Sequence, residues 1–217
     1  MRDTLDNGTP IEIHRIDGAT RGLVVAPDIF GLRPLFDDLV ARFATEWGMT
    51  TIAVEPFPTE TLGPDIDPRY AAVARLDDAR VLGDLAAAAE LTGCDAVGLI
   101  GFCLGGMHCF KAADAGRFDR IASFYGMIRL PEAWHGPGQS EPLPHVIANP
   151  APVLAVIGDL DPYTPPDAVA DLAATGAQVV RYADAEHGFA HDASRPAHRA
   201  DDAADAFGRA QAWLLGQ

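Results

Sequence analysis

Apolar and polar residues follow one another along this chain in two rhythms, one typical of strands and one typical of helices. Short apolar runs or strict alternation predict strands over residues 11–16, 23–26, 50–54, 96–101, 121–125, 153–157 and 178–182. Apolar residues three or four apart predict longer helices over residues 34–47, 70–91, 104–115 and 197–215. We expect the first two strands to pair with each other.

The order of these elements predicts the fold class. Strands interleaved with helices are typical of an α/β domain with a mostly parallel, doubly wound sheet and helices on both faces. Such sheets place their functional sites at the carboxyl ends of the strands. The segment 131–150 is rich in proline and glycine and too short for a domain, so we expect an irregular excursion near the site. Residues 1–217 are therefore expected to form one domain without a separate cap domain.

Composition narrows the possible partners. The chain has 31 acidic and 16 basic residues and a formal net charge of -15, and such a surface repels the phosphate backbone of nucleic acids. No apolar run approaches the roughly 18 residues of a membrane helix, and the first residues lack the apolar core of a secretory signal. We expect a cytoplasmic monomer or homodimer that acts on a small molecule, with neither a nucleic-acid nor a membrane partner.

The three cysteines have spacings that fit neither a zinc site nor a set of disulfides. Free cysteine usually packs as a small apolar residue, and this is our interpretation of Cys94 and Cys109. Cys103 differs because it lies in the motif Gly-Phe-Cys-Leu-Gly-Gly of residues 101–106, between a predicted strand and a predicted helix.

The motif of residues 101–106 predicts a nucleophile elbow, a tight turn from a strand into a helix with the reactive side chain at its tip. Glycine is needed on both sides of the turn because a Cβ there would collide with the neighbouring chain. The N-terminus of the following helix favours a thiolate on Cys103, and we expect the Leu104 N–H to face an oxyanion. A phosphate-binding loop also carries glycines before a helix, but its Lys-Ser or Lys-Thr pair is missing here.

A cysteine nucleophile needs a base. Where a strand, a nucleophile elbow and a helix follow one another in this way, the catalytic residues come along the chain in the order nucleophile, orienting acid, histidine. Asp161 follows a predicted strand in a proline-rich turn and is the expected acid, with Asp159 as the alternative. His187 follows the last predicted strand, directly before a glycine, and is the expected base. His187 and His191 are four residues apart, but the glycine between them disfavours a metal-binding helix, so we expect neither a metal nor another cofactor.

The loop after strand 23–26 is expected to supply the second oxyanion donor, the Ile29 N–H. Asp28 precedes it, and a carboxylate beside a catalytic thiol would control the protonation of that thiol.

Together these segments resemble the dienelactone hydrolase family, the carboxymethylenebutenolidases, over nearly the whole chain from residue 24 onwards. The resemblance implies an α/β-hydrolase fold and the ring-opening hydrolysis of a lactone through a thioester on Cys103. It matches the acid, the base and the two oxyanion donors to Asp161, His187, Leu104 and Ile29. In the family a glutamate holds the resting thiol, and Asp28 stands at that position here.

Residues that would contact the substrate depart from the family pattern. Members that take dienelactone bind its carboxylate with two arginines, whose positions here hold Ile66 and His191. We retain four candidates for substrate binding, namely Tyr70, His191, Arg69 and Arg75. Without the two arginines, neutral esters or lactones are expected to be hydrolysed at least as well as carboxylate analogues. A carboxylesterase for small neutral esters and a non-catalytic ligand-binding protein of the same fold are the alternatives.

Overall fold

A computed structural model describes residues 1–217 as one eight-stranded sheet with helices packed on it. The strands are β1 Arg2–Thr4, β2 Pro10–His14, β3 Arg21–Ala26, β4 Thr50–Val54, β5 Ala96–Phe102, β6 Arg120–Phe124, β7 Val153–Gly158 and β8 Gln178–Tyr182. Their order across the sheet is β1-β2-β4-β3-β5-β6-β7-β8. All neighbouring strands from β4 to β8 are parallel, and β1 and β2 add an antiparallel edge. The predicted mostly parallel sheet is confirmed.

Helices cover both faces of the sheet. They are α1 Pro34–Trp47, α2 Ile66–Val73, α3 Asp78–Leu91, α4 Leu104–Lys111, α5 Pro142–Ala148, α6 Pro166–Ala174 and α7 Ala200–Leu215. On β3, Leu23 and Val25 pack in the core with α1 and α7, whereas Val24 packs in the opposite core with α3 and α4. Burial on both faces explains why the central strands are continuous apolar runs. None of the seven helices combines the length and the apolar character of a membrane span.

The predicted pairing of the first two strands is wrong. β2 pairs antiparallel with β4, with Ile11 opposite Val54, and not with β3. The reason is that β3 lies between β4 and β5 and is hydrogen-bonded to both, so neither of its edges is free.

The predicted helix over residues 70–91 is wrong as well, because the chain turns between α2 and α3. The Asp77 side chain accepts a hydrogen bond from the Ala79 N–H and so caps the start of α3. The excursion 131–150 contains a 3-10 turn, Glu132–Trp134, and α5. The helix α6 and the short edge strand β1 were not predicted, and α4 and α7 are shorter than expected.

Candidate active site

Cys103 lies between β5 and α4, at the carboxyl end of a central strand. Its backbone has φ 55° and ψ −113°, a sparsely populated conformation that costs a non-glycine residue about 1–3 kcal/mol. The Cys103 N–H donates to the Phe124 carbonyl oxygen at 3.0 Å, which ties the tip of the turn to the end of β6. Cys103 is half-buried, Cys109 is buried in the core and Cys94 is half-buried against it.

Two glycines of the motif allow the turn to pack against its neighbours. A Cβ on Gly105 would lie 2.0 Å from the Ala26 carbonyl oxygen, and one on Gly101 would lie 2.3 Å from the carbonyl oxygen of Gly105. Real Cβ atoms do not approach backbone oxygens this closely. The close contact places the N-terminus of α4 against the loop that follows β3.

His187 follows β8 and is hydrogen-bonded to Asp161, with 2.8 Å between Nδ1 and Oδ2. The Asp161 side chain is fully buried, and its other oxygen accepts a hydrogen bond from the Tyr163 N–H at 2.8 Å. Burial alone would lower the pKa of His187, but the charge of Cys103 and the hydrogen bond to Asp161 raise it to about 10. This arrangement favours a protonated imidazole beside the sulfur.

Asp159, the alternative acid, lies elsewhere. Its carboxylate forms an ion pair with Arg181 at 2.7 Å near the surface. Of the two aspartates after β7, only Asp161 contacts His187.

Cys103 and His187 line one cavity of about 340 Å³. Its other lining residues are Asp28, Ile29, Phe30, Ile66, Tyr70, Met127, Trp134, Tyr163 and Arg195. The wall is largely apolar and aromatic, and the Tyr70 and Trp134 rings pack with centroids 5.3 Å apart. Tyr163 packs against the His187 ring with centroids 4.9 Å apart. A cavity of this size and character suits a small organic molecule.

The two N–H groups predicted to bind an oxyanion belong to Ile29, which lines this cavity, and to Leu104, which directly follows Cys103. The Ile29 N–H donates to no group of the protein. Leu104 is the first residue of α4, where N–H groups have no acceptor within the helix. The positive end of the helix dipole lies at the same point. The role of these two N–H groups as oxyanion donors stays a prediction.

Asp28 is buried at the edge of the cavity and is bound by Arg33 on both oxygens, at 2.6 and 2.8 Å. The Phe30 N–H and His191 Nε2 also hydrogen-bond to it, at 2.9 and 2.8 Å. Burial alone would raise the pKa of Asp28, but the hydrogen bonds from His191 and Arg33 hold it well below its usual range. No hydrogen bond joins Asp28 to Cys103.

His191 does not line the cavity, which corrects its prediction as a substrate-binding residue. Its side chain is fully buried between Asp28 and Tyr125 and stacks on Phe102, with centroids 5.0 Å apart. The Tyr125 hydroxyl lies 2.5 Å from His191 Nδ1. Burial lowers the pKa of His191 despite the hydrogen bond to Asp28. A neutral ring therefore donates from Nε2 to Asp28 and accepts at Nδ1 from Tyr125.

The other three candidates for substrate binding lie in three different places. Tyr70 lines the cavity. Arg69 lines an adjoining groove, where its guanidinium donates to the carbonyl oxygens of Gly63, Leu62 and Ile29. Arg75 is wrong as a candidate, because it pairs with Glu60 and lines a separate cavity.

Arg195 was missed by the sequence analysis. Its side chain lines the cavity with Cys103 and His187. The only signal was a cation in the glycine- and proline-containing loop after the histidine, and nothing in that pattern shows which way the side chain points.

The model of the "Dienelactone hydrolase family" matches residues 13–216. A Salmonella typhimurium protein named "Putative carboxymethylenebutenolidase" is 30% identical, over 91% of this chain and 78% of its own length. A Bradyrhizobium protein named "Probable 2-oxo-3-(5-oxofuran-2-ylidene)propanoate lactonase" is 28% identical over 157 residues, and this chain spans 62% of its length.

A solved structure extends the similarity to the fold. The crystal structure titled "Putative Dienelactone Hydrolase" from Klebsiella pneumoniae superimposes with a TM-score of 0.84 at 26% identity, over 100% of this chain and 99% of that one. The family match, the nucleophile elbow and the eight-stranded sheet all agree. This chain is therefore an α/β-hydrolase that belongs to the dienelactone hydrolase family.

Proposed function

We propose that this protein hydrolyses a lactone or a small carboxylic ester through an acyl-enzyme on Cys103. The observation that carries the proposal is the hydrogen bond of 2.8 Å between His187 and Asp161 at a cavity that also exposes the elbow cysteine. A nucleophile, a base and an orienting acid in this relation form the machinery of acyl transfer.

In the first half-reaction, the Cys103 sulfur attacks the substrate carbonyl carbon and the carbonyl π electrons move onto oxygen. The N–H groups of Ile29 and Leu104 stabilise the oxyanion, a contribution of about 3–4 kcal/mol per donor in comparable sites. The oxyanion then collapses and the ester C–O bond breaks. The His187 imidazolium gives its proton to the departing oxygen, leaving a thioester on Cys103.

In the second half-reaction, neutral His187 takes a proton from water as that water attacks the thioester. Collapse of the second oxyanion breaks the C–S bond and releases the carboxylic acid. Asp161 keeps the Nδ1 proton in place throughout, so that Nε2 is the nitrogen that exchanges protons.

The test uses purified protein with a panel of lactones and p-nitrophenyl esters. Cys103→Ala is expected to lower kcat/KM for the best substrate at least about a thousandfold, because no other group supplies the nucleophile. Cys94→Ala is the matched control and should keep most of the activity, since Cys94 lies in the loop before β5 and Cys103 lies at the opposite end of that strand.

Mass spectrometry adds a second measurement. Wild type, quenched during turnover, should carry the mass of the acyl group, and Cys103→Ala should not. Turnover by Cys103→Ala within about tenfold of wild type would refute the proposed nucleophile. A wild type that turns over no member of the panel would favour a non-catalytic ligand-binding protein of the same fold.

A further inference from the structure

The aromatic wall of the cavity is made by two separate segments of the chain. Tyr70 lies on α2 and Trp134 lies in the 3-10 turn of the excursion 131–150, and their rings pack with centroids 5.3 Å apart. Both rings line the cavity that contains Cys103. Neither segment is a strand of the central sheet. The position of the wall therefore depends on the contacts that join α2 to the excursion.

The Gln139 side chain joins these two segments. Its Nε2 donates to the carbonyl oxygens of Val73 and Leu76, at 2.8 and 3.3 Å. Val73 is the last residue of α2, where carbonyl oxygens have no partner within the helix. Val73 also packs in one apolar cluster with Trp134. Gln139 therefore ties the end of the helix that carries Tyr70 to the segment that carries Trp134.

A buried lysine holds the Gln139 amide in one orientation. Lys111 Nζ donates to Gln139 Oε1 at 2.7 Å and to the Asp78 carboxylate at 2.8 Å, and the Lys111 side chain is fully buried. An ammonium group only donates hydrogen bonds, whereas a carbonyl oxygen only accepts them. The side chain between Lys111 and the end of α2 must therefore offer an acceptor on one side and a donor on the other. Glutamine meets this requirement and glutamate does not.

The backbone around Gln139 has further contacts with the start of α3. The Asp78 N–H donates to the Gly138 carbonyl oxygen at 2.8 Å. The Asp78 carboxylate accepts hydrogen bonds from the N–H and the hydroxyl of Ser140, both at 2.6 Å. Because these contacts do not involve the Gln139 amide, we expect the excursion to stay folded when that amide is replaced.

We propose that Gln139 is a positioning residue that holds the wall of Tyr70 and Trp134 and so sets the preference of the cavity for substrates with an aromatic ring; this inference rests on the proposed function. Gln139 does not line the cavity and acts through the two rings. Aromatic rings attract one another best in offset or edge-to-face arrangements. A displaced wall therefore weakens the binding of an aromatic substrate and has little effect on a small one.

The test compares three activated esters by titration of the released acid. Vinyl acetate is small, vinyl benzoate adds a ring to the acyl group, and phenyl acetate adds a ring to the leaving group. Gln139→Glu keeps the size of the side chain and the acceptor for Lys111, but it places a carboxylate oxygen against the two carbonyl oxygens at the end of α2. Gln139→Met removes both the donor and the acceptor.

Gln139→Glu should lower kcat/KM about five- to tenfold for the aryl ester that wild type hydrolyses best, through a higher KM. It should change kcat/KM for vinyl acetate less than about twofold. Gln139→Met should act in the same direction, and Trp134→Ala, which removes half of the wall, should show the same selective loss. The ratio of kcat/KM for two substrates does not depend on the fraction of active enzyme, so a general loss of folded protein cannot change it.

Gln211→Met is the matched control. Gln211 is half-buried on α7, which packs on the opposite face of the sheet from α4, and its variant should keep the wild-type ratios. Calorimetric binding of phenol to Cys103→Ala makes the comparison without turnover. The Kd for phenol should rise about fivefold in Cys103→Ala/Gln139→Glu and stay unchanged in Cys103→Ala/Gln211→Met.

The two proposals fail in different ways. A wild type that hydrolyses none of the three esters would refute the proposed function, whereas the binding of phenol would still test the role of Gln139. Equal losses for all three esters, unchanged ratios in both Gln139 variants, or an unchanged affinity for phenol in Cys103→Ala/Gln139→Glu would overturn that role.

Discussion

The Asp28 carboxylate accepts four hydrogen bonds, two from Arg33 and one each from Phe30 and His191. A carboxylate has about four acceptor positions, so this side chain has none left for a thiol in this arrangement. Its neighbour Ile29 supplies a free N–H to the cavity. Asp28 therefore fixes the loop that carries Ile29, the proposed oxyanion donor, and its control of the thiol stays a prediction.

Asp161 and Asp159 offer a matched pair for testing the orienting acid. Asp161→Asn is expected to lower kcat about a thousandfold, because an amide in that place no longer fixes the proton on His187 Nδ1. Asp159→Asn should stay near wild type, since Asp159 only pairs with Arg181 at the surface. Steady-state kinetics on the best panel ester make the comparison, and equal losses in both variants would contradict the assignment.

At the residue scale, sequence predicted best where the backbone motif is local. Cys103, Leu104 and the flanking glycines follow from one turn geometry, and His187 follows from its place after a strand. The local sequence does not show that His191 is buried whereas Arg195 lines the cavity. Both belong to one irregular loop, and their roles depend on which side chain turns inward to the buried Asp28 and which turns to the cavity.

At the scale of elements, the elbow depends on how closely α4 approaches β3. Gly105→Ala is expected to lower the free energy of unfolding by at least about 3 kcal/mol, because its Cβ would lie 2.0 Å from a backbone oxygen that has little room to move. Urea denaturation followed by circular dichroism measures the change.

Gly83→Ala is the matched control for that variant. Gly83 lies on the exposed side of α3, and a Cβ there meets nothing within 4 Å. Alanine should stabilise this helix by about 1 kcal/mol through its higher helix propensity. A Gly105→Ala variant as stable as wild type would mean that the close contact with β3 is not required.

The positions of the strands could be predicted from the sequence, but the pairing of β2 could not. Apolar runs locate the central strands because both faces are buried. The pairing of β2 with β4 joins segments about 40 residues apart, and no local pattern encodes it. The break between α2 and α3 has a local signal, because Asp77 can cap the start of a helix. The alanine- and leucine-rich composition on both sides of it nevertheless favours one continuous helix.

For the whole molecule, the net charge of -15 predicts a negative electrostatic potential at long range. It does not predict the charges that lie at the candidate active site. Arg33, Arg69 and Arg195 come from three separate loops or helices and meet at one groove beside the cavity. The sign of the long-range field is therefore opposite to the charge of these three side chains. Only the tertiary fold brings these cations together, and so composition could not reveal them.

His108 makes the stability of the whole molecule depend on pH. The side chain is buried on α4, and its Nε2 has no hydrogen-bond partner. Burial, with the nearby charge of Lys111, lowers the pKa of His108 to about 3, although Asp78 opposes the shift. In an unfolded chain the pKa of histidine is about 6.5. As pH falls below 6.5, the unfolded state takes up a proton that the folded state does not, so the contribution present above pH 6.5 is lost.

When the pH falls from 7.5 to 5, His108 should therefore lower the free energy of unfolding by about 2 kcal/mol. The raised pKa of His187 acts in the opposite direction, since its stabilising contribution is complete below pH 6.5 and is lost as pH rises towards 10.

The experiment therefore measures the free energy of unfolding by urea denaturation, for wild type and for His108→Gln, at pH 7.5 and at pH 5. The quantity to compare is the change between the two pH values. The wild type should lose about 2 kcal/mol more than the variant, whereas His135→Gln, at an exposed position, should follow the wild type. Parallel curves for wild type and His108→Gln would show that the folded state accommodates a proton on His108, either through solvent reaching the ring or through a shift of Asp78 towards it.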